Sequence, residues 1–304
     1  MNNILVCGLT NIETTLKVDN FPIEYSPVEY RFYGVNSSVS GVGYNIAKAL
    51  KTLGNDPLYF SIIGNDLFQE IILKELKRNE IKTDYILPLL EQTVQSGILF
   101  DGNNRKILLD LKNIQEMEYP VERINSVINQ IDIGIICNIN FSRKFLKVLR
   151  DHKKIIATDV HALKDINDDY NNDYIKYSDI LFLSNVNIIG EERDVIRQLY
   201  KKYNHKIIVI GMGEIGLLIY TKEKAEIQYF PAVKTTEVVN SIGAGDALFS
   251  CFIHYYNKTK DTYYSIKMAM VFASYKIGEN GGANGFLSEN ELEKWSIKTS
   301  GNIA

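Results

Sequence analysis

Short apolar runs alternate along the chain with stretches whose apolar residues recur every three or four positions, the rhythm of a mostly parallel sheet covered by helices. Ile4 to Cys7 is a first predicted strand and Leu58 to Ile63 another. Between them Ile46, Ala47, Leu50 and Leu53 share one helical face, closed by Gly54 where a left-handed cap fits. Further buried strands are predicted at Ile133 to Cys137, Ile155 to Thr158, Ile180 to Leu183 and Ile207 to Ile210, separated by helical patterns such as Phe141, Phe145 and Leu149. From Asp261 onward the pattern is mainly helical. No internal repeat, low-complexity tract or interdomain linker interrupts the order.

Two stretches break the rhythm. Residues 13–40 and 91–111 alternate in a β-like way, as in Ile98 and Phe100 and then Ile107 and Leu109, around the turn Asp101-Gly102-Asn103-Asn104. They predict a small β sheet projecting from the main one, placed to act as a lid over the active face. The chain then divides into an α/β core of residues 1–12, 41–90 and 112–304, and a lid of residues 13–40 and 91–111.

Composition narrows the class. Of 304 residues, 45% are hydrophobic and 23% charged, with 6 Pro, which excludes disorder, collagen-like repeats and a disulfide scaffold. The net charge is -3 with no run of five like charges, so neither a nucleic-acid arm nor a polybasic membrane patch is indicated. An anionic ligand must therefore be held by local geometry or a metal. Cys7, Cys137 and Cys251 lie far apart in apolar stretches and read as reduced, buried small hydrophobes of a cytoplasmic protein. His152, His161, His205 and His254 show no metal spacing. The N-terminal apolar run is too short for a signal peptide, and no uncharged run reaches the roughly 18 residues a membrane span needs.

Gly211-Met212-Gly213-Glu214-Ile215-Gly216 spells GxGxxG after a strand, but Leu217 to Tyr220 and the alternating Ile227 and Tyr229 follow it. A dinucleotide site needs a helix there, so these glycines read as a turn between two strands, placed beside a nucleotide if one binds. No Walker A pattern is present. Gly243-Ala244-Gly245-Asp246 is stronger: a β-like run through Val238 and Val239 passes into small residues and then an apolar helical pattern. Successive amides of Gly243, Ala244 and Gly245 at a helix N-terminus form an anion nest, and Asp246 in the first turn is placed to accept a hydroxyl proton or, more plainly, to cap the helix. Upstream, Ser40-Gly41-Val42-Gly43-Tyr44-Asn45 puts glycines at another helix entrance, with Asn45 offering a donor and an acceptor to a hydroxyl.

Together the two segments resemble the paired signatures of the PfkB (ribokinase-like) carbohydrate kinase family, with Gly41, Gly43, Asn45, Ala47, Gly54, Gly64 and Gly243 to Asp246 at its spacing. The resemblance spans nearly the whole chain. It implies ATP-dependent, Mg2+-assisted phosphorylation of a hydroxyl, with Asp246 as base and Gly243, Ala244 and Gly245 as anion hole. It places Glu13, Gly41, Gly43 and Asn45 at the acceptor, and Asn185, Gly211, Gly213, Gly216, Ala273 and Asn280 toward the nucleotide, while Arg105 in the lid hairpin is a candidate to reach the acceptor or the phosphates, with an exposed turn arginine as its plainer role. The acceptor is a sugar or a nucleoside, with a lean to the pseudouridine and nucleoside branch from the form of the first signature and from Tyr25, Tyr30, Phe32 and Tyr33, aromatics that stack a base or equally serve lid packing or a dimer interface. In many members two lids pair into a homodimer.

The chain departs from the family pattern at several points. Ser40 replaces a usual Gly, Glu13 a usual Asp, and Asn240 an Asp in a region that binds a monovalent cation in some members. Gly211 stands where a Thr is common. In the Asn-x-x-Glu element that helps arrange magnesium, Ile188 replaces the Glu, with Glu191 or Glu192 as substitutes and a solvated helix face as their plainer role. These departures leave a second reading open, a sugar sensor or scaffold on the same fold.

Overall fold

A computed structural model of the chain describes residues 3–101 and 104–299. The tip of the turn at Gly102 and Asn103 lies outside the described residues. The chain begins with β1 (Asn3–Cys7), β2 (Asn11–Lys17) and β3 (Val35–Ser40), then α1 (Val42–Thr52), β4 (Leu58–Gly64), α2 (Leu67–Arg78) and β5 (Ile86–Leu90). A hairpin of β6 (Gln95–Phe100) and β7 (Arg105–Asp110) precedes β8 (Ile131–Ile136), α3 (Arg143–Asp151), β9 (Ile155–Ala162), α4 (Asn172–Tyr177) and β10 (Ile180–Ser184). The remainder is α5 (Glu192–Tyr203), β11 (Ile207–Gly211), β12 (Gly216–Thr221), β13 (Glu226–Pro231), α6 (Ala244–Thr259), α7 (Thr262–Lys276) and α8 (Glu289–Thr299).

Nine strands form the main sheet in the order β13-β12-β11-β10-β9-β8-β1-β4-β5, parallel except for the β11-β12-β13 meander at one edge. Both faces are covered, which is why its strands are near-continuous apolar runs. Side-chain alternation sends Ile4 and Val6 into a core with α1, α6 and α7, and Leu5 and Cys7 into a second core with α3, α4 and α5. From β1 the chain steps one way to β4 and β5 and later the other way to β8, so a crevice opens beyond the carboxyl ends of β1 and β8. The four-stranded small sheet runs β3-β2-β6-β7, with β2 and β6 parallel and the outer pairs antiparallel.

Most predicted strands stand where the pattern put them, and Gly54 takes a left-handed φ of +88° after α1. The GxGxxG segment is the hairpin turn between β11 and β12. Two expectations need correction. Residues 18–34 carry no strand, because beyond the buried Val18 their apolar side chains find no pairing edge and stand in water, Tyr25 being 94% and Tyr33 100% exposed. Val238 and Val239 form no strand either; the amides of Val239 and Asn240 both donate to the Ile277 carbonyl instead of to a ladder. The three cysteines are buried and free, and no described helix is long and apolar enough to cross a membrane.

Candidate active site

The crevice is walled by close backbone approaches that only glycine permits. A Cβ on Gly43 would collide with the Gly8 backbone just beyond β1, and Gly8 itself has no room because of Cys137 Sγ and Gly43. Gly41 has a φ of +104°, and a Cβ there would lie 2.6 Å from the Leu9 carbonyl oxygen. The Asn45 amide donates to the Gly41 carbonyl at 2.8 Å, so α1 starts tight against the end of β1 and its first turn delivers the Asn45 side chain into the crevice.

Gly243 caps α6 in a left-handed conformation, φ +75°, and its missing Cβ leaves space for the Gly282 carbonyl. The first amides of α6 have no intrahelical partner, and that of Ala244 makes only a long 3.4 Å contact with the Ser241 carbonyl. Asp246 lies in the first turn, 8% exposed, and its Oδ2 accepts from Asn45 Nδ2 at 2.7 Å. Burial pushes its carboxyl up to about 6, the charge of His161 and the Asn45 bond pull it down, and Asp159 adds to the rise. A carboxyl so placed exchanges protons within the neutral range.

Glu13 on β2 is buried in the same place. Its Oε2 accepts from Ser40 Oγ at 3.1 Å and its Oε1 from the Gly282 amide at 3.2 Å, while Ser40 Oγ also lies 3.2 Å from Asn45 Oδ1. The two departures at positions 13 and 40 are thus one contact. Arg105, first residue of β7, reaches from the small sheet to donate to Ser241 Oγ at 2.9 Å, directly before the nest.

The residues assigned toward a nucleotide fall into separate groups. Asn185, beyond β10, donates its own amide to the Gly211 carbonyl at 3.0 Å, and its Nδ2 donates to Glu192 Oε1 at 2.8 Å. Burial alone would raise the Glu192 carboxyl, but the bonds from Asn185 and from the Glu192 and Gly190 amides outweigh it and hold it below its usual value. Ile188 turns into the core. Gly213, φ +59°, and Gly216, φ +125°, shape the hairpin turn, where a Cβ on Gly216 would strike the Phe230 carbonyl. Ala273 packs on α7 against the core, and Asn280 Oδ1 accepts from Asn240 Nδ2 at 3.0 Å. The Asn240 Oδ1 accepts the Ile242 amide at 3.0 Å, so this side chain is taken up in bracing the loop before the nest.

Four side chains went unassigned in the sequence reading. Glu192 was named only as one of two substitutes; its bond from Asn185 singles it out, at the first residue of α5, after a turn in which Gly190 takes a left-handed φ of +87°. Asp159 and His161 end β9 at the same carboxyl edge, with the His161 amide donating to Asp159 Oδ1 at 2.8 Å and Nδ1 4.0 Å from Oδ2. Lys276 closes α7, fully buried. A polar pair at the end of a buried strand and a lysine inside an apolar helical run are the signals that mark them.

Among the described residues no group of three or more His, Cys, Asp or Glu is gathered to hold a metal by itself. A magnesium ion carried on nucleotide phosphates needs only one or two protein carboxylates, a condition the Asn185-Glu192 pair meets.

The pattern of the pfkB family carbohydrate kinases matches residues 1–290. The chain belongs to this family. As a pfkB-family kinase it is a phosphotransferase acting on an alcohol group of a sugar or nucleoside, with ATP as phosphate donor. It is 25% identical to a ribokinase of Dictyostelium discoideum, over 96% of this chain and 99% of the relative. It is 24% identical to a guanosine-inosine kinase of Exiguobacterium acetylicum, over 81% of this chain and 86% of the relative. Its fold superposes on a candidate ribokinase II of E. coli solved with ATP and Mg2+, with a TM-score of 0.82, 16% identity, and 98% and 100% of the two chains covered. The α/β fold of this kinase, a large mostly parallel sheet flanked by helices plus a small sheet, is that of the ribokinases.

Proposed function

We propose that this pfkB-family kinase transfers the γ-phosphoryl group of ATP to a primary hydroxyl of a sugar or nucleoside, with Asp246 as general base. The observation that carries the reading is the buried Asp246 carboxylate at the first turn of α6, fixed by Asn45 at 2.7 Å and raised toward neutral pH. Asp246 takes the proton of the acceptor hydroxyl as its oxygen bonds to the γ-phosphorus, and the bond from that phosphorus to the β-γ bridging oxygen breaks to release ADP. The amides of Gly243, Ala244 and Gly245 receive the charge on the transferred group, and the α6 dipole adds to their effect.

Glu13, Asn45 and the backbone at Gly41 and Gly43 line the acceptor side, and Arg105 brings a positive charge from the small sheet to the loop before the nest. Asn185, Gly211, Gly213, Gly216, Ala273 and Asn280 are assigned to the nucleotide side, where Asn185 and Glu192 would hold magnesium through the phosphates. Magnesium supplies neutralisation of phosphate charge, which a chain of net charge -3 lacks. The Glu192 carboxylate supports turnover over the sensor reading, since it puts beside Asn185 the carboxylate that position 188 lacks.

The small sheet, residues 13–40 with 91–111, acts as the lid. Its outer loop presents Tyr25, Tyr30, Phe32 and Tyr33 to water, and β7 leaves Ile107, Leu108 and Leu109 half-exposed. A second copy of the chain, lid against lid, covers this apolar surface. The protein works in the cytoplasm, where ATP and reduced thiols are available. The test is ADP formation from MgATP over a panel of sugars and nucleosides, with the Asp246→Asn variant beside the wild type; an acceptor consumed by the wild type alone supports the reading, and equal rates in the two overturn it.

A further inference from the structure

We infer that Lys276 is a positioning residue of the phosphoryl-transfer site: its buried ammonium ties down the Gly281-Gly282 turn and places a fixed positive charge beside the carboxylates of Asp246 and Glu13. The inference rests on the function proposed above for Asp246. Among the described residues Lys276 is the only lysine or arginine that is buried, and no surface of it is exposed. Its Nζ donates to the Gly281 carbonyl at 2.6 Å. The next residue, Gly282, faces two ways: its amide holds Glu13 Oε1 at 3.2 Å, and its carbonyl fills the space a Cβ on Gly243 would need. One ammonium therefore fixes a turn shared by the acceptor side and the anion nest.

A lysine serving only to fill this space would be dispensable, since apolar residues of similar volume replace buried charges at little cost or with gain. The charges around it argue for an electrostatic role. Asp246 on α6, Glu13 on β2 and Glu279 just past α7 draw protons toward Lys276, while Arg105 on β7 opposes them. Burial nevertheless brings the ammonium down to about 8, so it is charged at neutral pH and sheds its proton just above. In return its charge lowers the carboxyl of Asp246. The two groups bracket a working window, with Asp246 protonated below about 6 and Lys276 neutral above about 8.

The test compares wild type, Lys276→Met and Lys276→Arg by pH-rate profile with MgATP and D-ribose or inosine, and by carboxyl 13C NMR titration of Asp246, assigned with Asp246→Asn. Lys276→Met should lower kcat by about 10- to 100-fold, the scale of a lost outer partner. It should also move the Asp246 midpoint to higher pH and abolish the alkaline limb. Lys276→Arg keeps the charge, so the Asp246 midpoint stays low while the alkaline limb disappears, and it decides the matter if the Met variant fails to fold. An Asp246 midpoint unchanged in Lys276→Met, or moved equally in both variants, overturns the inference. If the wild type turns over neither acceptor, the proposed function is in question and the NMR titration still judges Lys276.

Discussion

The amide of Asn45 donates to the carboxylate of Asp246 at 2.7 Å, joining the first turn of α1 to the first turn of α6 across 201 residues of chain. This bond stabilises the ionised form of Asp246 and so keeps the proposed base available at neutral pH. Replacing Asn45 with Leu removes the donor and raises the Asp246 carboxyl further. The acid limb of the pH-rate profile should shift to higher pH, with the plateau rate less affected than the rate at pH 6.

Asp246 is costly to the fold for the reason it is useful. Its folded carboxyl is raised to about 6 from the ordinary value of 3.8, so the native state binds the proton more tightly than the unfolded chain does. Stability contributed by that proton is present at low pH and is lost as pH rises through about 6. Asp246→Asn, which does not titrate, should therefore melt above the wild type at pH 7.5, with the gap closing as pH falls to 4. Scanning calorimetry at the two pH values checks this.

Gly243 holds a φ of +75° with the Gly282 carbonyl where a Cβ would go. Gly243→Ala strains the backbone and pushes back the Gly282 turn whose amide holds Glu13, at a cost of about 1–3 kcal/mol. The expected outcome is a lower Tm together with loss of turnover, whereas Gly54→Ala, at a left-handed position with open space around it, should lower Tm alone.

Much of this architecture was legible because the parallel strands are buried on both faces and read as apolar runs, and because Gly41, Gly43 and Gly243 are dictated by backbone approach as much as by chemistry. The misses have physical causes. Residues 18–34 alternate like a strand but have no partner edge, and pairing, not alternation, makes a strand. Glu192 could be named only alongside Glu191, because the non-helical turn through Gly190 decides which of the two carboxylates meets Asn185, and spacing alone does not show that turn. Lys276 was not singled out, because a lysine in an apolar helical run marks burial without naming its partner, and the Gly281 carbonyl that holds it appears only in the folded turn.

Glu192 gives a prediction about magnesium. With Asn185 it forms the carboxylate-amide pair assigned to the ion-bearing phosphates. Glu192→Gln should raise the magnesium concentration needed for half-maximal rate by about 10-fold while leaving acceptor KM nearly unchanged. Restoring a glutamate at position 188 as well should not rescue the variant, because Ile188 faces the core.

The measurement closest to the central claim is the rate of ADP release from MgATP in the presence of a consumed sugar or nucleoside, for wild type and Asp246→Asn under the same conditions. The account predicts that the variant still binds ATP, as read by calorimetry, and turns over at least ~10²-fold more slowly, the scale of a lost general base. Equal turnover by the two proteins would contradict the role of Asp246 and with it the chemistry built on its bond to Asn45.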